Sequence, residues 1–87
     1  MPTSAPPQVS TGITGKVHLT ARTLPDLGAL VTHTRKARHY SQQDLADIAG
    51  VGRRFLSELE GGKATAEIGK VLQVLTALGI DVELRVR

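Results

Sequence analysis

The sequence has no cysteine and no tryptophan, and its 87 residues include only one tyrosine and one phenylalanine. The lack of cysteine excludes disulfide bonds and thiolate metal sites within this chain, and it suits a cytoplasmic location. No apolar run approaches the roughly 20 residues that a membrane-spanning helix needs. The N-terminus also lacks the basic and apolar segments of a secretory signal. A chain of this length forms one domain at most, and we expect no membrane partner.

Residues that could carry catalysis are equally scarce. The three histidines, His18, His33 and His39, are not spaced with acids on one helix face as a metal site would require. The Gly-Gly-Lys run at 61–63 lacks the preceding strand, the spacing and the following hydroxyl of a nucleotide-binding loop. We therefore expect no enzyme, no cofactor and no bound metal.

The basic residues are the first positive signal. Lys and Arg outnumber Asp and Glu by 11 to 8, for a net charge of +3 and a pI of about 9.8. Such a mild excess permits nucleic-acid binding without requiring it, so the placement of the charges matters more. Five of these residues lie in or beside the central predicted helices: Arg35, Lys36, Arg38, Arg53 and Arg54.

Three segments can be distinguished along the chain. Residues 1–20 are predicted to be a flexible tail, because residues 1–12 hold three prolines, several Ser or Thr and few apolar residues. A weak alternation at 13–19 allows a short strand there. Residues 21–79 are predicted to form a helical domain, and residues 80–87 a dimerising β-strand.

Capping signals and apolar periodicity predict four helices within residues 21–79. The first begins near Pro25 and ends near 39–40. Ser41 caps the second, which Gly50 ends. The third spans about 53–60, and the fourth about 66–78 with Thr65 as its cap. The predicted buried positions are Leu45, Ile48 and Ala49 in the second helix, Leu56 and Leu59 in the third, and Ile68, Val71, Leu72, Leu75 and Leu78 in the fourth.

The second and third helices form the most informative part of the chain. Ala46 is small where two helices would cross closely, and Gly50 accepts the left-handed conformation of a sharp turn. Apolar residues suited to hold the two helices together are Leu45, Val51, Leu56 and Leu59. This pattern is typical of a helix-turn-helix DNA-binding unit, although a plain helical hairpin shares part of it.

Residues 42–60 resemble the helix-turn-helix of the Xre/Cro class of phage-repressor-like regulators, and the resemblance extends over about 24–87. The runs 50–65 and 70–75, with the Leu-Gly-Ile sequence before the tail, resemble small HipB-like antitoxins. The resemblance implies an all-α, phage-repressor-like bundle of four to five helices. It also implies a C-terminal β-strand that forms an intersubunit ribbon.

The resemblance further implies which residues contact DNA, because the third helix of this class lies in the major groove. Arg53 and Arg54 match base-reading positions, where arginine can donate two hydrogen bonds to guanine. Gly52 stands where relatives often carry Ser or Thr, so a hydroxyl contact to phosphate is lost. The complete implied DNA-binding set is Ser41, Gln42, Gln43, Gly52, Arg53, Arg54, Phe55, Ser57 and Lys63.

Two acidic residues beside this set have different expected roles. Arg35 and Glu60 match a partly buried salt bridge of repressors in this class, which makes Arg35 structural rather than a DNA contact. Glu58 either accepts a hydrogen bond from cytosine or faces solvent.

The tail at 80–87 alternates strictly between apolar and charged residues, which predicts a strand with one buried face. Its predicted dimerisation residues are Ile80, Val82, Leu84 and Val86. Pairing two copies antiparallel about Leu84 would place Asp81 opposite Arg87. Glu83 would then face Arg85, so every charged pair is opposite in sign. A competing arrangement pairs the tail with the segment around 17–19.

Together these features predict a sequence-specific transcriptional repressor that binds palindromic, double-stranded operator DNA as a homodimer. The HipB-like resemblance implies an antitoxin of a toxin–antitoxin module, which represses its own operon and neutralises a HipA-like Ser/Thr kinase toxin. One alternative is a solitary or phage-type repressor without a toxin. Another is a protein-interaction module that does not bind DNA.

Overall fold

The computed structural model describes residues 8–11 and 17–87, and these form four helices and one antiparallel strand pair. The predicted helical bundle is confirmed. No helix within the described ranges is long and apolar enough to cross a membrane. The elements in chain order are β1 (Gln8–Thr11), β2 (Val17–Thr20), α1 (Leu24–Ala37), α2 (Gln42–Ala49), α3 (Arg53–Glu60) and α4 (Ile68–Ala77).

The strand pair occupies part of the segment for which the sequence predicts a flexible tail. Gln8 lies opposite Thr20 and Thr11 lies opposite Val17. β2 overlaps the weak alternation at 13–19, whereas β1 gave no strand signal of its own. The two strands pair antiparallel through their backbones, a pairing that local composition does not reveal. The rest of the predicted tail, 1–7 and 12–16, lies outside the described residues.

Helix α1 begins with a cap that the sequence analysis did not identify. The Thr23 hydroxyl accepts a hydrogen bond from the backbone N–H of Asp26 at 3.2 Å, and Pro25 lies in the first turn. The helix ends at Ala37, and His39 turns the chain with a φ of 61°. That left-handed conformation is uncommon for a residue other than glycine.

Helices α2 and α3 match their predicted bounds. The Ser41 hydroxyl accepts from the backbone N–H of Asp44 at 3.0 Å, and the Asp44 carboxylate accepts from the N–H of Ser41 at 3.0 Å. These bonds close a capping box, and the bond from the N–H of Ser41 stabilises the Asp44 carboxylate and lowers the pKa of Asp44. Gly50 then turns the chain with a φ of 74°. The glycine turn therefore separates the two helices as the sequence predicts.

Several predictions for α4 and for the buried stripe of α2 are wrong. Helix α4 begins at Ile68 with Glu67 as its N-cap residue, so Thr65 lies in the preceding loop and caps nothing. Ile48, Ile68 and Leu72 are 54, 68 and 43% exposed. Each of these short helices meets the core along a narrow face only, so a periodic apolar residue at the edge of that face remains outside.

The core is built from all four helices: α3 contacts α1 and α2, and α2 also contacts α4. Arg35 is the one polar residue buried with it in the described part of the chain. The buried apolar residues are Leu30, Val31, Leu45, Ala46, Ala49, Leu56, Leu59, Val71, Val74, Leu75 and Leu78.

The segment 80–87, which is predicted to pair with a second copy of the chain, forms no strand in the single chain. A strand needs a hydrogen-bonded partner. The competing arrangement, in which the tail pairs with the segment around 17–19, is not formed: in the described part of the chain β2 pairs with β1 only. Ile80 instead packs half-buried against the core, and its N–H donates to the carbonyl of Leu75 at 2.8 Å. Formation of the ribbon with a second copy stays a prediction.

Gly28 marks a close approach between α1 and the C-terminal end of α3. A Cβ at this position would lie 2.7 Å from the carbonyl oxygen of Glu60 and would also collide with that of Leu59. Both atoms belong to the backbone and cannot rotate away.

We expect Gly28→Ala to lower the free energy of unfolding by about 2–3 kcal/mol, because α1 must move away from α3. Gly61→Ala is the matched control. The nearest atoms to its Cβ would be the carbonyl oxygens of Glu58 and Ser57 at 3.5 Å, and its φ of −78° is one that alanine adopts readily. We expect that control to be neutral or stabilising by up to about 1 kcal/mol. Urea denaturation followed by circular dichroism measures both, and equal effects would contradict the close-contact explanation.

Candidate DNA-binding surface

Helix α3 has one buried face and one exposed face. Leu56 and Leu59 are fully buried, and Phe55 is half-buried against the core. Arg53, Arg54 and Ser57 are exposed on the opposite side. The fold therefore holds α3 by its apolar side and leaves the polar side free to contact a ligand.

The N-terminus of α3 concentrates positive charge. The N-cap residue Gly52 makes no side-chain hydrogen bond, so no side chain occupies the free N–H groups of the first helical turn. Arg53 and Arg54 lie in that turn, where the helix dipole adds a partial positive charge. Arg54 is 92% exposed at its side chain, and its Nε lies 3.5 Å from the Glu58 carboxylate. This arrangement suits an anionic partner.

A buried ion pair fixes the C-terminal end of α3. Arg35 on α1 donates from Nε to Glu60 at 2.7 Å and from a terminal nitrogen to the other carboxylate oxygen at 3.0 Å. Arg35 also donates to the backbone carbonyl of Tyr40 at 2.8 Å. The two side chains are only 10% and 7% exposed. The structure thus contains the salt bridge that the resemblance implied.

The electrostatics of Glu60 reflect this burial. Burial by itself raises the pKa of Glu60, but hydrogen bonds from Arg35 and Gln42 favour the carboxylate and lower it from its ordinary value of 4.5. The Gln42 amide donates to Glu60 at 3.1 Å. Because Gln42 opens α2, the network links α1, α2 and α3 at one point.

The predicted DNA-binding residues of α2 all have partners within the chain. Ser41 is part of the capping box, and Gln42 is half-buried in the Glu60 network. Gln43 is exposed and donates from its amide to Asp47 at 2.8 Å. Of the three, Gln42 is thus the least accessible to a ligand, since Ser41 and Gln43 are both exposed.

The exposed face of α3 is bordered by Lys63 and Phe55. Two further residues in contact with them, Glu58 and Lys70, were not assigned to the site by the sequence analysis. Lys63 donates to the Glu58 carboxylate at 3.2 Å, and this hydrogen bond lowers the pKa of Glu58. The Lys70 ammonium lies 5.7 Å from the centre of the Phe55 ring, within cation–π range. The four-residue spacing of Arg54 and Glu58 could have indicated their pairing. The contacts to Lys63 and Lys70 depend on the loop after α3, which the sequence does not specify.

Three of the four predicted dimerisation residues are exposed in the single chain. Val82, Leu84 and Val86 are 52, 94 and 96% exposed, whereas Ile80 is half-buried against the core. The tail thus presents three apolar side chains to its surroundings.

Comparison with known sequences agrees with this architecture. A family model described as a helix-turn-helix domain matches residues 12–87. The chain is 52% identical over 63 residues to an uncharacterized HTH-type transcriptional regulator, y4mF, from Sinorhizobium fredii, an alignment that covers 72% of this chain and 83% of the relative. It is 28% identical over 58 residues to the ImmF control region 10 kDa protein of Bacillus phage phi105, covering 67% of this chain and 64% of that protein.

Solved structures share the fold. This chain superposes on HipB from a HipB-O4 20mer complex with a TM-score of 0.70 at 17% identity. The superposition covers 76% of this chain and 93% of that chain. The restriction-modification controller protein C.AhdI from Aeromonas hydrophila gives 0.61 at 29% identity, covering 67% and 88%. The resemblance to Xre-type helix-turn-helix regulators is thereby confirmed, and the likeness to HipB is confirmed as a shared fold.

Removing the carboxylate of Glu60 should destabilise the fold strongly. We expect Glu60→Gln to lower the free energy of unfolding by about 3–5 kcal/mol, because Arg35 would remain as a buried and uncompensated charge. Glu67→Gln is the matched control, since that side chain is 66% exposed, and its effect should stay within about 0.5 kcal/mol.

The same experiment has a pH signature. Folding lowers the pKa of Glu60, so ionised Glu60 stabilises the folded state. This stabilisation is fully present above the ordinary pKa of 4.5 and is lost as the pH falls through the folded-state pKa. The variant should therefore lose less stability on acidification than the unmodified protein. Parallel pH profiles would contradict this role.

Proposed function

Because the chain belongs to the helix-turn-helix domain family over residues 12–87, we propose that it is a sequence-specific, DNA-binding transcriptional repressor that acts as a homodimer. The observation that carries the proposal is the exposure of Arg53 and Arg54 at the N-terminus of α3, on a helix whose opposite face is fixed in the core. The 52% identity to a protein named as a transcriptional regulator supports it.

In this function α3 enters the major groove with its N-terminal turn towards the bases. Arg53 and Arg54 would each donate two hydrogen bonds to a guanine, and Ser57 is one helical turn further along the same face. Gln43, Lys63 and the free N–H groups after Gly52 would contact phosphates, which set position rather than sequence preference.

Exposed apolar side chains support the homodimer. Val82, Leu84 and Val86 alternate along the tail, and such an edge attracts a second strand. Ile48 and Leu72 border an open groove between α2 and α4 that continues to Ala77, close to the start of the tail. A two-stranded ribbon alone is marginally stable, so the groove offers the further apolar area that a stable dimer needs.

Within this function we assign the chain to an antitoxin that represses its own operon and neutralises a HipA-like Ser/Thr kinase. A solved structure that shares the fold is a HipA-HipB-O2-O3 complex, which supports this assignment. A kinase-like gene beside this one, or a kinase that co-purifies from the native cell, would distinguish an antitoxin from a solitary repressor. A cytoplasmic location follows from either role.

The DNA-binding assignment predicts a specific loss of affinity. The double substitution Arg53→Ala with Arg54→Ala should weaken binding to a duplex covering the protein's own promoter by at least about 30-fold. Each lost bidentate contact costs about 1–3 kcal/mol of discrimination. Fluorescence anisotropy at fixed salt measures the affinity.

The matched control removes two exposed cations outside α3, Arg22→Ala with Lys36→Ala, and should weaken binding much less. Equal losses would contradict the assignment of α3 as the reading helix. If the unmodified protein binds no duplex even at low salt, the alternative of a protein-interaction module is favoured.

The dimer assignment predicts that removal of residues 80–87 yields a folded monomer with weak DNA binding, because the two half-sites are no longer bound together. Light scattering measures the mass of the full-length and truncated chains. As a control, Glu83→Arg with Arg85→Glu reverses both charges of one pair and should keep the dimer. A truncated chain that stays dimeric would exclude the ribbon.

A further inference from the structure

Glu58 is the acidic residue at the centre of the cationic surface around α3. Its carboxylate lies 3.5 Å from Nε of Arg54 and 3.2 Å from Nζ of Lys63. One carboxylate oxygen, Oε2, takes both contacts. The negative charge therefore lies between two of the cations that the proposed function directs to DNA.

The three side chains differ in accessibility. Glu58 is 35% exposed, Lys63 is 52% exposed and Arg54 is 92% exposed. The two cations can swing away to a new partner, whereas the more confined carboxylate stays beside α3, next to Phe55 and Thr65. A glutamate is already charged at neutral pH, and the hydrogen bond from Lys63 lowers the pKa of Glu58 further.

This geometry has opposite consequences for two kinds of DNA. On a duplex of arbitrary sequence the protein is held by phosphates alone, so Glu58 competes for Arg54 and Lys63 and itself repels phosphate oxygens. In a specific complex the base edges of cytosine and adenine offer amino donors in the major groove, and a carboxylate one turn after Arg54 can accept from them.

We propose that Glu58 is a specificity-determining residue that selectively lowers the affinity of the α3 surface for DNA of arbitrary sequence. The proposal rests on the DNA-binding function proposed above. It assigns to Glu58 a negative role towards wrong sequences, in addition to the positive contacts of the arginines.

The test compares the unmodified full chain with Glu58→Gln, which removes the charge but keeps the shape and one acceptor oxygen. We expect Glu58→Gln to bind a random-sequence duplex about 3- to 10-fold more tightly at low salt, with a salt slope steeper by about one phosphate contact per chain. On the promoter duplex the gain should be less than about 2-fold, because the base donors already satisfy the carboxylate there.

Glu67→Gln is the matched control. It removes the same charge from a neighbouring carboxylate that contacts Lys70, and it has no ion pair with Arg54 or Lys63. Its gain on random DNA should be clearly smaller. A second measurement adds Lys63→Gln to the unmodified chain and to the Glu58→Gln variant. We expect Lys63→Gln to weaken random-duplex binding more when position 58 is Gln than when it is Glu.

The outcomes separate this proposal from the one on which it rests. If the unmodified chain binds neither duplex at low salt, the DNA-binding function fails and this inference fails with it. If the chain binds but Glu58→Gln equals Glu67→Gln, weakens random-duplex binding, or tightens both duplexes equally, only the role of Glu58 is refuted. Additive effects of the substitutions at 58 and 63 would refute it as well.

Discussion

The buried pair of Arg35 and Glu60 fixes the position of α3 relative to the rest of the chain. Arg35 lies in the last turn of α1, and Glu60 is the last residue of α3. The pair therefore joins two helices through residues that are 25 positions apart in the sequence. The same guanidinium holds the Tyr40 carbonyl, and Gln42 on α2 donates to the same carboxylate. Two charges buried together cost less than either alone, which makes the arrangement cooperative.

The apolar contacts give the core its strength, but the rotation of α3 within the core depends on this ion pair. Leu56 and Leu59 could pack into a small core at several rotations of α3, since apolar contact is non-directional. A bidentate ion pair at the helix end accepts only one rotation. The close approach at Gly28 adds a second constraint, because α1 and the end of α3 meet at backbone distance. Together they determine which side of α3 faces outward.

Local signals in the sequence predicted α2, α3 and the turn between them, because the Ser41 cap and Gly50 are short-range features. The ion pair could be predicted only through resemblance, since no local rule joins positions 35 and 60. Two of the five predicted buried positions of α4 were wrong, because its periodic apolar residues exceed what its narrow buried face accommodates, as the exposure of Ile68 and Leu72 shows. The contact of Glu58 with Lys63 was missed because Lys63 reaches it across a loop whose path follows from packing.

The exposed face of α3 contributes little to the fold. Arg53 and Arg54 make no buried contact, and substitutions at such positions usually change stability by less than about 0.5 kcal/mol. If these arginines read DNA as proposed, sequence preference can change through single codon changes while the scaffold is retained. A duplicated gene with this architecture would be free to acquire a new operator without first acquiring a new fold.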